Sequence, residues 1–71
     1  MENINPNNIK IGDIIEVEDA WEDEAGGRHD EFPTVLEISE QGELKLDFGE
    51  KELNDYLEGA DFFARDYKPE K

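Results

Sequence analysis

"GELKLDFG", residues 42–49, sets Leu44, Leu46 and Phe48 alternately with Glu43, Lys45 and Asp47. Successive side chains on a strand point to opposite faces, so a period of two gives one apolar and one charged face, the pattern of a half-buried strand. Immediately upstream, "PTVLEIS" (33–39) places Leu36 and Ile38 on one face and Val35 and Glu37 on the other. The short "EQG" between the two runs predicts a hairpin. Further back, "GDIIEVED" (12–19) follows a turn-forming glycine and sets Ile15 and Val17 on one face against Ile14, Glu16 and Glu18 on the other. This predicts a first strand.

Between that strand and the hairpin, "AWEDEAGGRHDEF" (20–32) has no apolar period and is expected to be a long loop turned back at Gly26 and Gly27. Beyond the hairpin, "GEKELNDYLEG" (49–59) spaces Leu53, Tyr56 and Leu57 at i, i+3 and i+4, with Gly49 at the N-cap position and Gly59 as a stop. One short amphipathic helix follows. In "ADFFARDYKPEK" (60–71), Phe62, Phe63 and Tyr67 favour a last strand, which Pro69 limits before a frayed tail. Adjacent Phe62 and Phe63 would face opposite ways on it, one to the core and one to solvent. The expected fold class is mainly β with one short helix: a small, strongly bent antiparallel sheet closing as an SH3-like barrel. The 71 residues make a single domain, 1–71, with 1–11 and 68–71 loose.

This order carries a resemblance. "IKIGDIIEVED" (9–19), the "TVLEIS…GELKLDF" hairpin and "LNDYLEGADFF" (53–63) resemble, over most of the chain, the C-terminal barrel region of the YopX family of phage proteins. The likeness rests on "GDIIEV" and on apolar spacing, and it departs at the end, where an Asn-rich closing motif gives way to "FFARDYKPE" (62–70). It implies a phage or prophage origin and brings no catalytic residues with it.

Charge is the outlying property. Against 21 Asp and Glu stand 7 Lys and Arg, a formal net charge of −14, roughly twice the upper end of what suits a small soluble domain. Such a field repels nucleic acid and anionic membranes and speeds encounter with any basic surface. The expected partner is therefore a basic protein, with no direct nucleic acid binding and no membrane. A plainer alternative is that the acidity serves solubility or a salt-adapted host. There are no cysteines, so neither disulfides nor thiolate sites staple the fold. The start, "MENINPNNIKIG", has neither the basic segment nor the apolar run of a signal peptide. The expected location is cytoplasmic, the host cytoplasm if the protein is phage-encoded.

Catalysis is not expected. A nucleophile needs a base beside it, and Ser39, Thr34 and the single His29 sit in no recognisable elbow or loop. Among 21 carboxylates close pairs arise by chance, which weakens any acid–base assignment. His29, in the polar "GRHDE", is expected to be a solvated loop histidine. No metal or cofactor is expected. An EF-hand started at Asp19 would put Trp21 where an oxygen ligand belongs and Glu24 where the glycine should be. "AGGR" lacks the Lys and Ser/Thr of a phosphate loop.

What remains is electrostatic. "EVEDAWEDE" puts six carboxylates into the nine positions from Glu16 to Glu24, around a tryptophan. Alternate residues on one strand face stand about 6.6 Å apart, comparable to neighbouring phosphates on a nucleic-acid strand. Glu16, Glu18, Asp19, Glu22, Asp23 and Glu24, with Asp30 and Glu31 returning beside them, are expected to form a double row of negative charge imitating a phosphate backbone. Trp21 has two open assignments: an interface anchor ringed by polar residues, or a lid completing a thin core. The expected function is a phage-encoded acidic DNA mimic, an anti-CRISPR or anti-restriction inhibitor that occupies the basic groove of a host nucleic-acid-handling protein such as a Cas or restriction nuclease. The alternative is a phage accessory or structural module that binds through the Trp21 loop.

Overall fold

The computed structural model describes residues 3–70, so residues 1, 2 and 71 of the ends expected to be loose lie outside the described residues. The elements in chain order are β1 (Val17–Glu22), β2 (Arg28–Glu31), β3 (Thr34–Ile38), β4 (Leu44–Asp47), α1 (Lys51–Tyr56) and a 3-10 turn over Ala64–Asp66. The protein is mainly β with one short helix, and its strands form two antiparallel two-stranded ladders, β1–β2 and β3–β4.

The β3–β4 hairpin is the one read from the sequence. Its turn is closed by Ser39, whose carbonyl accepts the Gly42 N–H at 3.0 Å and whose Oγ accepts the N–H groups of Gln41 (3.2 Å) and Glu43 (3.0 Å). Gly42 has φ +85°, and a Cβ there would lie 2.8 Å from the Ile4 carbonyl oxygen. Only glycine suits both the left-handed backbone and the close approach.

The facing of β3 differs from the expectation. Val35 pairs with Leu46 and Ile38 with Leu44, while the register shifts between Val35 and Glu37. A bulge adds one residue and reverses the alternation beyond it. Val35 and Ile38 therefore face the same way, Val35 is fully buried, and Leu36 is 42% exposed.

The expected loop 20–32 is also corrected, because most of it is the β1–β2 hairpin. Val17 pairs with Glu31, Trp21 with His29 and Glu22 with Arg28. Four steps of β1 thus oppose two of β2, and Asp19, at the irregularity, has φ +55°. The Asp30 Oδ1 accepts the Asp19 N–H at 2.9 Å, filling a ladder position that the irregularity leaves open. At the tip, the Asp23 N–H donates to the Gly27 carbonyl at 2.8 Å, and Gly26 takes φ +87°.

Residues 12–15 join the two ladders. Gly12 donates to Val35 (2.8 Å), Val35 to Asp13 (2.8 Å) and Ile15 to Pro33 (3.1 Å), and Glu70 donates to Ile14 (2.6 Å). The links are single bridges, Ile14–Thr34, Ile15–Pro69 and Glu43–Phe63, so the sheets do not close into the expected barrel. The expected last strand is replaced in the same way. After one bridge at Phe63 the chain turns through Ala64–Asp66, and Pro69, lacking an N–H, supports no ladder.

Ile9, Ile15, Val17, Val35, Leu44 and Ala64 form the buried core, with Ala20, Ile38, Leu46, Phe48, Phe62 and Tyr67 packed around it. Phe62 lies between Phe48 and Tyr67 (ring centroids 5.9 and 6.3 Å), whereas Phe63 is covered by the Arg65 guanidinium at 4.7 Å. Phe62 is the one packed against the core, while Phe63 points away from it and is half-buried under Arg65 rather than open to solvent. Within the expected loose start, the Asn5 amide brackets Ile9, accepting its N–H at 2.9 Å and donating to its carbonyl at 2.8 Å. Asn7 donates to the Tyr67 carbonyl at 2.7 Å, tying this segment to the C-terminal one.

Helix α1 buries no side chain fully. Asn54 anchors it by accepting the Phe48 N–H at 2.7 Å and donating to Asp47 Oδ1 at 3.1 Å. That bond and the Gly49 N–H hold the Asp47 carboxyl below its ordinary value.

Few cations offset the carboxylates. Among the described residues the Lys/Arg ion pairs are Arg28–Asp19 (3.8 Å) and Lys51–Asp55 (2.7 Å), both exposed. Folding must then confine unbalanced negative charge. Raising salt to about 0.5 M, where the Debye length is roughly 4 Å, is expected to raise the thermal midpoint. A scanning calorimeter reads this directly, and an unchanged or lower midpoint would count against uncompensated repulsion.

Candidate functional site

The nine residues singled out from the sequence all lie on one β-ribbon, residues 16–31, but they do different things there. Trp21 and His29 are cross-strand partners. Their rings stack at 4.0 Å with an interplanar angle of 9°. The Trp21 Nε1–H donates to Glu31 Oε2 at 2.7 Å. Trp21 is half-buried and stays outside the core cluster, which removes its assignment as a core lid. His29 is corrected from a solvated loop position to a strand position, held between the indole and a carboxylate.

That carboxylate is Asp23. Its Oδ1 accepts the N–H groups of Gly27 (2.8 Å) and Ala25 (3.0 Å), and its Oδ2 lies 2.8 Å from His29 Nε2. With Asp23 ionised, Nε2 carries the proton of that bond. The His29 bond first, and then the backbone donors, hold the Asp23 carboxyl below its ordinary value. Asp23 therefore builds the turn.

Asp19 pairs with Arg28, Asp30 caps the Asp19 N–H, and Glu31 holds the indole. Glu18, Glu22 and Glu24 are exposed, and their side chains have no hydrogen-bond or ion-pair partner among the described residues. The ribbon thus uses five of the nine residues, Asp19, Trp21, Asp23, Asp30 and Glu31, for its own geometry. It presents Glu18, Glu22 and Glu24 as free charge, with Glu16 half-buried at its base.

Glu16, at the base, is half-buried. Partial desolvation, followed by repulsion from Glu18, Asp30 and Glu70, raises its carboxyl above the ordinary value. A carboxyl raised in the fold favours folding when protonated; that contribution is complete below the unfolded value near 4.5 and is lost as pH climbs through the raised one. At pH 7 ionised Glu16 opposes folding. Glu16→Gln is expected to raise the thermal midpoint at pH 7 and to leave it unchanged at pH 3. Melting curves at the two pH values check the sign. Asp23→Asn should behave oppositely, lowering the midpoint at pH 7, because a depressed carboxyl stabilises above its unfolded value and loses that as pH falls.

A second feature beside the ribbon has no signal in the amino-acid pattern. Trp21 and Glu22 of β1 line a cleft of ≈ 350 Å³ with Glu50, Glu52, Leu53 and Tyr56 at α1. The two lining segments are nearly thirty residues apart, and only the relative placement of ribbon and helix brings them together.

Among the described residues no group of three or more His, Cys, Asp or Glu side chains is arranged to hold a metal ion. No helix among them is long and apolar enough to cross a membrane. The chain matches no known protein-family model, and no significant similarity to a curated protein or to a solved structure was found.

Proposed function

We propose that this chain is an acidic, non-enzymatic inhibitor that binds the basic groove of a nucleic-acid-handling protein in place of a phosphate backbone. A phage-encoded protein acting on a Cas or restriction nuclease in the host cytoplasm is the form this takes. The observation that carries it is the ribbon itself. Residues 16–31 hold eight carboxylates, Glu16, Glu18, Asp19, Glu22, Asp23, Glu24, Asp30 and Glu31, against one arginine, Arg28. They sit on a paired hairpin whose strands, tip and indole are fixed by hydrogen bonds. A fixed array matters because ordering flexible charged side chains on binding costs affinity, and a paired backbone has already borne part of that cost.

Proteins that handle nucleic acid gain much of their affinity from Lys and Arg arrayed for phosphates. A paired ribbon carrying clustered carboxylates addresses the same array. The test is competition. Binding to purified Cas effectors and restriction nucleases, followed by surface plasmon resonance, should weaken steeply with salt and be displaced by added target DNA, and nuclease activity should fall with the same concentration dependence. A stable ternary complex, with DNA still in the groove and cleavage unimpaired, would sink the mimicry proposal. It would favour an accessory module that engages its partner elsewhere.

A further inference from the structure

Several features of the cleft between β1 and α1 converge on one kind of occupant. Two aromatic rings, Trp21 and Tyr56, and the Leu53 side chain supply apolar walls, while Glu22, Glu50 and Glu52 supply carboxylates. No lysine or arginine lines it. Lys51, the nearest basic residue in sequence, is paired with Asp55 at 2.7 Å. The carboxylates of Glu22, Glu50 and Glu52 are exposed and make no hydrogen bond or ion pair among the described residues. Tyr56 is 69% exposed, the most exposed of the large apolar and aromatic side chains. An exposed aromatic beside a half-buried tryptophan gives an apolar surface without an occupant.

Three carboxylates beside aromatic walls exclude anionic ligands and attract a cation that also has apolar surface to bury. Arginine fits these terms better than lysine. Its planar guanidinium stacks on aromatic faces, takes two carboxylates through its forked donors and is more weakly hydrated than an ammonium group. Its stem packs on aliphatic surface such as Leu53. The volume lies at the lower end of ligand clefts, suited to one or two side chains. The chain's own arginines are engaged elsewhere, Arg28 at Asp19 and Arg65 over Phe63. A second copy of so acidic a chain is a poor donor of positive charge.

We infer that the Trp21–Tyr56 cleft is a receptor for an arginine side chain of a basic partner protein. This rests on the proposed engagement of a basic partner for the source of the arginine. It adds a specific anchor to what would otherwise be a diffuse field, because the ribbon steers by charge whereas the cleft selects one side-chain chemistry.

Trp21 is the only tryptophan, so its emission reports occupancy of the cleft. The experiment titrates the full chain with a hexa-arginine peptide and, separately, with a hexa-lysine peptide of the same charge, at fixed ionic strength. The expected result is a saturable emission change with half-saturation at least tenfold lower for the arginine peptide. That response should weaken at least tenfold in Tyr56→Ala and in Glu50→Gln/Glu52→Gln. Tyr56 lies outside the core and neither glutamate side chain is bonded, so circular dichroism should show these variants folded. Neutralising Glu16, Glu18 and Glu24 on the ribbon should weaken both peptides alike and leave the preference for arginine. Absence of a saturable change, equal affinity for the two peptides, or full binding by folded Tyr56→Ala would each overturn the inference. Because the probe is a peptide, the outcome is independent of whether a nuclease is inhibited. Failure of the competition test with success here would reject mimicry and retain the cleft.

Discussion

Ile15→Ala is expected to lower the thermal midpoint of this protein by about 10 °C or more. Ile15 is fully buried at the junction of both ladders, donating to Pro33 and bridging Pro69. Truncating a buried isoleucine to alanine costs about 2–5 kcal/mol through lost transfer energy and the cavity left behind. At about 0.05–0.15 kcal/mol per residue, a domain of this length has on the order of 4–11 kcal/mol in total. Among the described residues the core cluster is six buried side chains, with Pro33 buried beside them, so little surrounding structure is able to collapse into the void. For a domain of this size each kcal/mol moves the midpoint by about 4–8 °C, and a fall of about 10 °C or more should appear in thermal melts. Leu36→Ala provides the contrast. Strict alternation would make it the costly position on β3, but the bulge turns Leu36 outward, and its truncation should cost less than about 1 kcal/mol. If Leu36→Ala proved as damaging as Ile15→Ala, the β3–β4 register would be wrong.

That pair of substitutions also marks where the sequence was legible. Apolar periodicity is a record of burial, so it located β4, the turn at Ser39–Gly42, and Ile15 and Val17 as inward residues, all of which bury as the pattern requires. It is silent where burial does not drive the strand. β2 is Arg28-His29-Asp30-Glu31, with no aliphatic residue, and is held by its partner strand and by the Trp21–His29 stack. β1 loses its alternation to the irregularity at Asp19, stabilised by an Asp30 side chain that no period reveals. Ile9 is buried while Ile11, two residues on, is 68% exposed, and the difference lies in the Asn5 amide that folds the backbone around Ile9. The acidic residues were visible from composition, but their division into builders and free charges follows only from cross-strand register. The contacts that would have to close a barrel are isolated bridges at Pro69 and Phe63, where Pro69 lacks an N–H and the chain turns through Ala64–Asp66, and apolar spacing alone does not reveal this.

The same division decides how the charge of the ribbon should be probed. Neutralising Glu22, Asp23 and Glu24 together would remove Asp23 from the Ala25, Gly27 and His29 bonds and disturb the turn. Glu22 also lines the cleft beside Tyr56. Glu16→Gln/Glu18→Gln/Glu24→Gln avoids both and takes the formal net charge from −14 to −11, three carboxylates fewer. Because Glu18 and Glu24 are exposed and unbonded and Glu16 is repelled by its neighbours, this variant should melt at the parental midpoint or above it. Affinity for a basic nucleic-acid-handling partner should nevertheless fall by more than about tenfold at low salt, since removing clustered charge weakens both steering and complementarity. Most of the loss should lie in the association rate, with dissociation slowed or quickened far less, and it should shrink as salt is added because screening already suppresses what the variant lacks. Surface plasmon resonance across a salt series separates these contributions. A folded variant that associates at the parental rate would show that the ribbon's free carboxylates are solvating charge, and phosphate mimicry would then have no physical basis in this molecule.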